Sequence, residues 1–484
     1  MVIEHLWLGV LGGALGLLLA WSAVRAILAR WGGQIPRAAE VVLDGRVFAF
    51  TFLAALVAGV LAGTLPALRS SRVSLKSMLA TGGRTSARGG RNLAGASLVS
   101  VEIALAFLLL CGAGLLIRSF RSLLDRDLGI DTNVATAQVG LSGPLYAADS
   151  LRRAAYWTAL VEAYRAIPGV RAVGLTNFTP LGLTGQGFID IGGRDVAGAG
   201  AVYRTVNEDF FSALGLPLLA GRVFDKSDGM GTPRVAVINK RMAVMYWPDE
   251  NPIGKQVRAR NMEPRPGGQA AWLTIVGIVG DLRTYGLATE PRPEMYAVYR
   301  QTPLWTNNMT ALVRGTGPAT RLLPELRLRA RSIDAHVAVD VGTIDDLLRS
   351  TLAPRVLTMS LLSAFAAIAV LLAALGIYGV LSYAVTQRTR ELAVRAALGA
   401  GRGQLLVVVL RAGLRVVVLG AFIGLVAAVW LTRTMTSMLV DVTPGDPVTY
   451  AAAFALLMVT ALAAIVVPAR RATRLEPIIA LQAE

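Results

Sequence analysis

VLTMSLLSAFAAIAVLLAALGIYGVLSYAV, residues 356–385, runs for thirty residues without one charged side chain. A helix needs roughly 20 predominantly apolar residues to cross the hydrocarbon core of a bilayer, so this stretch reads as a membrane span. Five more runs of similar character lie at Leu6–Leu28, Val47–Leu65, Leu98–Ile117, Leu405–Leu431 and Thr449–Val467. The whole chain agrees with them. Its 484 residues are 54% hydrophobic and 16% charged, against roughly 25% charged in an ordinary soluble domain. Mean hydropathy is +0.55. These figures exclude a soluble globular protein, and they exclude a disordered one, which would be poor in apolar residues and rich in charge. The first run is no secretory signal: MVIEHLW lacks a basic leader, and the run that follows is too long for an h-region.

Several chemistries drop out on composition. The single cysteine, Cys111, lies inside an apolar run and cannot form an internal disulfide, while His5 and His336 are far apart. That leaves no Cys/His metal site and no credible Ser/His/Asp triad. The net charge of +17 could suggest nucleic acid, but membrane proteins collect Lys and Arg in cytoplasmic loops. Arg69, Arg72, Lys76, Arg84, Arg88 and Arg91 fill one such segment, Arg388, Arg390, Arg395 and Arg402 another, and Arg470, Arg471 and Arg474 follow the last run. Six spans with both termini inside put all three clusters in the cytoplasm. Arg30, Arg37 and Arg46 fall outside in that layout, outvoted by the larger clusters. No nucleic-acid partner is expected; the lipid bilayer is.

Between the third and fourth runs lies a long stretch of ordinary globular sequence, which this layout places outside the cytoplasm. Val134–Leu141 alternates like a strand, Ser150–Ile167 reads as helix, and Pro168-Gly169 turns the chain into a strand at Val170–Thr176. Met309–Arg314, Arg321–Ser332 and His336–Val341 repeat the order strand, helix, strand. Two such units are what a split, ferredoxin-like α/β sandwich requires. The insertion between them carries strands at Arg234–Ile238 and Leu273–Val279 among Gly/Pro-rich turns.

The chain also repeats itself. Asp44, Pro66, Ala67, Arg69, Arg72 and Leu79 recur as Asp446, Pro468, Ala469, Arg471, Arg474 and Leu481, always 402 residues on. Upstream, VLGGALGL from Val10 echoes VLGAFIGL from Val418. The first eighty or so residues are a second copy of the last, with small-residue faces at Gly12, Gly16, Gly59 and Gly63 that suit close helix contact.

Motifs for catalysis are missing. There is no G-x-x-x-x-G-K-[ST] run to cradle phosphates. GGRTSARGG, Gly82–Gly90, reads as a flexible basic linker, and Asp345-Asp346 as the acidic start of a helix. No catalytic residue and no metal ligand is assigned. Glu102 is the one acidic residue well inside a span and is a candidate intramembrane polar site, although it lies near enough to the cytoplasmic end to reach interfacial water. The richest segment is RTRELAVRAALGAGRGQLL, Arg388–Leu406. At 100° per residue Arg388, Glu391, Arg395 and Arg402 share one stripe, with Ala393, Ala397 and Ala400 opposite. Glu391 and Arg395 can pair at i,i+4. Such a helix can rest on anionic lipid or dock a cytoplasmic partner.

RTRELAVRAALGA resembles the cytoplasmic motif of MacB/FtsX-type ABC transporter permeases, R-T-R-E-I-x-x-R-x-A-L-G-A. VEIALAFLLLCGAGLLIRSFRSLL with LGID resembles their first span and the strand after it. GLPLLAGRVFDKSD, PRVAVINKRMA, PIGKQV and IVGIVGDLRTYGL resemble the MacB-like periplasmic core domain. The resemblance covers about residues 98–484. The repeat makes the chain most similar to acidobacterial duplicated permeases, with the earlier part of the first unit expected upstream of Met1.

The resemblance implies an α-helical integral membrane protein with about six transmembrane helices and one large extracytoplasmic α/β domain, ferredoxin-like plus an insertion. It implies residues 1–80 as the tail of a preceding repeat, 81–97 as linker, 98–118 as a span, 130–350 as periplasmic core and 355–484 as the permease domain. The coupling helix, 387–403, would present Arg388, Arg390, Glu391, Arg395 and Gly399 to a separate cytoplasmic ATPase. The chain itself would hold no cofactor, ATP being bound by that partner. A periplasmic membrane-fusion protein and a dimer or pseudo-dimer of permease units are the other expected partners, in the bacterial inner membrane. The other function class is an envelope signalling or scaffold subunit that regulates a periplasmic hydrolase or sensor without moving cargo.

Overall fold

The computed structural model describes residues 2–32, 44–71, 86–141, 144–147, 149–182, 185–194, 196–260, 271–302, 306–387, 395, 398 and 401–472. They form two compact units, Met1–Arg121 with Ala353–Glu484, and Ser122–Leu352.

The first unit is helical. Its helices are α1 (Val2–Trp31), α2 (Gly45–Ser71), α3 (Ser86–Leu124), α9 (Ile344–Gln387), α10 (Arg402–Leu431) and α11 (Pro447–Ala472). Among the described residues five helical stretches are long and apolar enough to cross a membrane: Gly9–Ala29, Gly95–Leu124, Ile344–Thr386, Leu406–Thr436 and Pro447–Val467. The expected second span is the exception. In α2 the qualifying apolar stretch is shorter, Gly45–Val57, and the side chains from Leu61 onward lie outside the described residues. Two other expectations change. Residues 86–90, read as flexible linker, are the first turns of α3, because Ala, Arg and Leu around the glycines still favour a helix once it is anchored downstream. α9 begins twelve residues before Val356. Its start is a capping box: the Thr343 hydroxyl accepts from Asp346 N at 3.1 Å while Asp346 Oδ2 accepts from Thr343 N at 3.1 Å.

The second unit contains strands β1 (Val134–Gly140), β2 (Val170–Thr176), β3 (Gly185–Ile191), β4 (Gly200–Val206), β5 (Leu218–Gly221), β6 (Val235–Asn239), β7 (Gln256–Ala259), β8 (Leu273–Val279), β9 (Glu294–Val298), β10 (Asn308–Gly315) and β11 (Ala338–Thr343). Helices α4 (Pro144–Ala147), α5 (Ser150–Arg165), α6 (Phe210–Leu214), α7 (Lys240–Tyr246) and α8 (Leu323–Ile333) connect them. Strands β11, β1, β10 and β2 lie side by side in that order, all antiparallel. Odd-numbered residues Ala135, Ala137, Val139, Val173, Leu175, Ala311 and Val313 face Trp157, Leu160 and Tyr164 of α5 and Leu326 and Ala330 of α8. One face of this layer is thus covered by two crossover helices. On the other face α6 comes so close to β2 that a Cβ on Gly174 would stand 2.9 Å from Phe210 Cα.

The insertion is a closed ring. β4, β3, β7, β8, β6 and β9 pair in succession, and β9 returns to β4 in parallel through Val202↔Glu294 to Val206↔Val298. Ile189, Tyr203, Ala236, Ile238, Val257, Leu273, Ile275 and Met295 form the core of the ring with Met242 of α7. Beside it lies a buried polar cluster. Arg204 and Glu294, 0% and 1% exposed, form an ion pair. Arg204 also donates to Phe178 O and, at 3.2 Å, to the Thr284 hydroxyl, which donates to Glu294 at 3.1 Å.

Candidate functional site

The helical unit is built on close approach of backbones. On α3, Ser100, Ile103, Ala104 and Phe107 recur at helical spacing and are all buried. On α10, Gly420 and Gly424 stand four residues apart and meet that stripe. A Cβ on Gly420 would lie 2.6 Å from Ser100 O and 2.8 Å from Ile103 Cβ; one on Gly424 would lie 2.8 Å from Ala104 O and 2.9 Å from Phe107 Cβ. Only glycine allows this crossing, which is how membrane helices gain contact where lipid removes the hydrophobic driving force. Cys111, Ile377, Leu381, Val417, Leu457 and Ile465 complete the same core.

The far end of α3 is clasped to the start of α11. Asp446 caps α11, accepting from Thr449 N at 2.9 Å and from its hydroxyl at 2.5 Å, and is paired with Arg118. The Thr449 hydroxyl first, then its N–H and Arg118, hold the Asp446 carboxyl below its ordinary range against the opposing effect of burial. Ser119 Oγ accepts from Val440 N at 2.8 Å beside it.

Glu102 lies on α3 against α9. Its Oε2 is buried without a hydrogen-bond partner, and a Cβ on Gly376 would overlap that oxygen. The carboxylate therefore occupies a notch left by a glycine; no basic residue meets it among the described residues. Arg388, Arg390, Glu391 and Gly399 lie outside the described residues, and Arg395 is helical and exposed. They follow Gln387, the last residue of α9, and precede α10. Sequence reasoning used Asp446 only as a marker of the repeat and passed over Arg118, Gly376, Gly420 and Gly424. The spacing of Gly420 and Gly424 was the available signal. Among the described residues no group of three or more His, Cys, Asp or Glu could hold a metal ion.

Two family models divide this chain. The FtsX-like permease C-terminal model matches residues 363–477 and the MacB-like periplasmic core domain matches residues 101–318. The chain is a MacB/FtsX-type permease. The permease is 28% identical over 291 residues to the macrolide export ATP-binding/permease protein MacB of Neisseria gonorrhoeae, covering 57% of this chain and 42% of that protein. It is 28% identical over 286 residues to the protein of the same name from Marinobacter nauticus, covering 55% and 41%. The permease thus spans less than half the length of these curated relatives. Among solved structures it is similar to the periplasmic region of MacB from Actinobacillus actinomycetemcomitans, with TM-score 0.31, 16% identity and coverage of 47% of this chain and 97% of that one. The extracellular domain of the noncanonic ABC-type transporter YknZ from Gram-positive bacteria gives TM-score 0.28, 17% identity and coverage of 43% and 99%.

Proposed function

We propose that this multi-pass permease is the transmembrane subunit of an ABC transporter whose ATP is bound and hydrolysed by a separate cytoplasmic subunit. Residues 388–400 dock that subunit, and the 122–352 unit is the periplasmic core, with a split ferredoxin-like layer carrying the ring as its insertion. One observation supports the reading above the rest: the R-T-R-E-L segment follows directly on α9, a helix of 44 residues whose one internal proline, Pro354, lies near its other end. At roughly 1.5 Å per residue the part after Pro354 is about 50 Å long, more than the roughly 30 Å of a hydrocarbon core, so a push at its cytoplasmic end can cross the bilayer. Work of this kind serves export or the handling of envelope cargo, alongside a membrane-fusion protein. The inner membrane is the compartment this requires.

Glu391→Lys is expected to abolish stimulation of the partner ATPase while leaving the protein folded. In the helix it replaces an i,i+4 pair by like charges, a change of a few tenths of a kcal/mol. At a docking surface the same change costs several kcal/mol. ATPase assays on reconstituted complexes measure it, and full stimulation by the variant would return residues 388–400 to a lipid-resting role.

Orientation has its own measurement. After Cys111 is replaced, cysteines at Pro180 and Gly229 should react with an impermeant thiol reagent in intact spheroplasts, and cysteines at Arg84 and Arg395 only after lysis. The distribution of basic loops demands this pattern. Reaction at position 84 in sealed cells overturns the layout.

A further inference from the structure

Two arginines interrupt the outer face of α10. Between Gly403 and Thr432 the only charged side chains are Arg411 and Arg415. They stand four residues apart, hence on one face, and both are exposed. Neither has a hydrogen bond or ion pair among the described residues. Like charges at this spacing repel one another on a helix, and here no carboxylate relieves them. With Leu414, Val418, Leu419 and Phe422 they line a shallow groove of about 540 Å³, whose lower part, Val418, Leu419 and Phe422, is exposed and apolar. The depth of the pair follows from the next charge, Arg433. The uncharged run between Arg415 and Arg433, Val416–Thr432, is about 26 Å along a helix, close to the roughly 30 Å of a hydrocarbon core. That sets Arg415 at one edge of the core and Arg411 about 6 Å farther out, at the level of lipid phosphates. The repeat agrees. VLGGALGL and VLGAFIGL align Arg415 with Trp7, which is exposed, and tryptophan favours the same interface.

We infer that Arg411 and Arg415 hold the phosphate of one anionic phospholipid, with an acyl chain of that lipid lying along Val418, Leu419 and Phe422. Each guanidinium is a planar fork that matches two phosphate oxygens, and a phosphodiester between the two replaces their repulsion by two attractions. A soluble phosphate would satisfy the arginines alone and leave the apolar part of the groove in contact with nothing it prefers. A zwitterionic lipid brings its own cation to the phosphate, so it gains less from the pair than phosphatidylglycerol does. In the layout set by the basic loops this is the inner leaflet. The chemistry of the site is the same whichever leaflet it faces, so it stands apart from the thiol labelling of positions 84 and 395 and from ATPase docking.

The test places the full chain in nanodiscs of phosphatidylethanolamine doped with phosphatidylglycerol that carries a diazirine on an acyl chain, and maps the adducts by peptide mass spectrometry. Residues 416–423 of α10 should collect at least about fivefold more adduct than residues 8–15 of α1, the factor that one basic residue contributes near an anionic surface. The repeat puts the two stretches at the same depth, and Leu11 and Leu15 are as exposed as Val418 and Leu419. Arg411→Gln with Arg415→Gln should bring α10 down to the level of α1 and leave α1 unchanged, whereas Arg433→Gln should change neither. Cys111 should stay closed to a maleimide in the double variant. If it opens, Arg411→Lys with Arg415→Lys, which keeps the charge and loses the fork, should lower the excess with Cys111 still closed. Equal adducts on α10 and α1, or an excess that survives the loss of both arginines, would mean ordinary lipid contact and overturn the proposal. An equal excess with diazirine-labelled phosphatidylcholine would mean selection by depth and not by charge, and would overturn it too. Loss of the excess on adding glycerol phosphate would replace the lipid by a soluble anion.

Discussion

Glu294→Ala is expected to unfold the 122–352 unit at urea concentrations the parent protein withstands. Arg204 would be left charged at 0% exposure, holding only the Phe178 carbonyl and the Thr284 hydroxyl. Removing one partner of a buried ion pair costs about 3–5 kcal/mol, a large part of the roughly 5–15 kcal/mol that holds a domain together. Thr284 loses the acceptor of its hydrogen bond in the same step. Pulse proteolysis of the full-length protein in detergent and urea measures the loss. The double substitution Arg204→Met with Glu294→Leu should recover most of it, since it removes the stranded charge along with its partner. A single variant as stable as the parent would show that water reaches Arg204.

The second large effect is expected at the α3–α10 crossing. Gly420→Leu with Gly424→Leu places side chains where Cβ atoms alone already stand under 3 Å from Ser100 O and Ala104 O. Backbone cannot yield as a flexible side-chain tip can, so the helices must separate. Cys111 reports the separation: it is buried in the same core at 0% exposure, and a maleimide should reach it at least about tenfold faster, the factor that about 1.4 kcal/mol of lost packing gives. Leu419→Ala, on an exposed side of α10, should leave the rate alone. Unchanged labelling in the glycine variant would mean that Cys111 is shielded without α10.

The sequence was legible wherever a pattern is local. β2 and β8 lie at the expected Val170–Thr176 and Leu273–Val279, the first set by the Pro168-Gly169 turn before it, and α5 ends within two residues of expectation, at Arg165. Five of the six spans stand out as apolar helices among the described residues. Ring closure was not legible. Val202 pairs with Glu294 across more than ninety residues, and no periodicity in either strand names its partner. β5, β7 and β9 are only four or five residues long, and β3 and β4 begin on glycines among further glycines, so none of the five stood out as a strand. The polar contacts were hidden for the same reason: Arg204 and Arg118 resemble any other arginine until the fold brings Glu294 and Asp446 to them. Residues 388–400 carry the clearest motif in the chain, and their reading rests on the motif.

The notch at Glu102 limits how α9 can travel. Gly379 follows Gly376 by three residues, and a Cβ there would meet nothing within 4 Å. A screw displacement of α9 by three residues, about 4.5 Å with a residual turn of about 60°, puts Gly379 where Gly376 stands and seats the same carboxylate again. Displacements that leave neither glycine opposite the carboxylate put a side chain where a Cβ alone would already overlap its oxygen. Any sliding of α9 past α3 is therefore expected to pause at these two registers and not to run as a continuous glide.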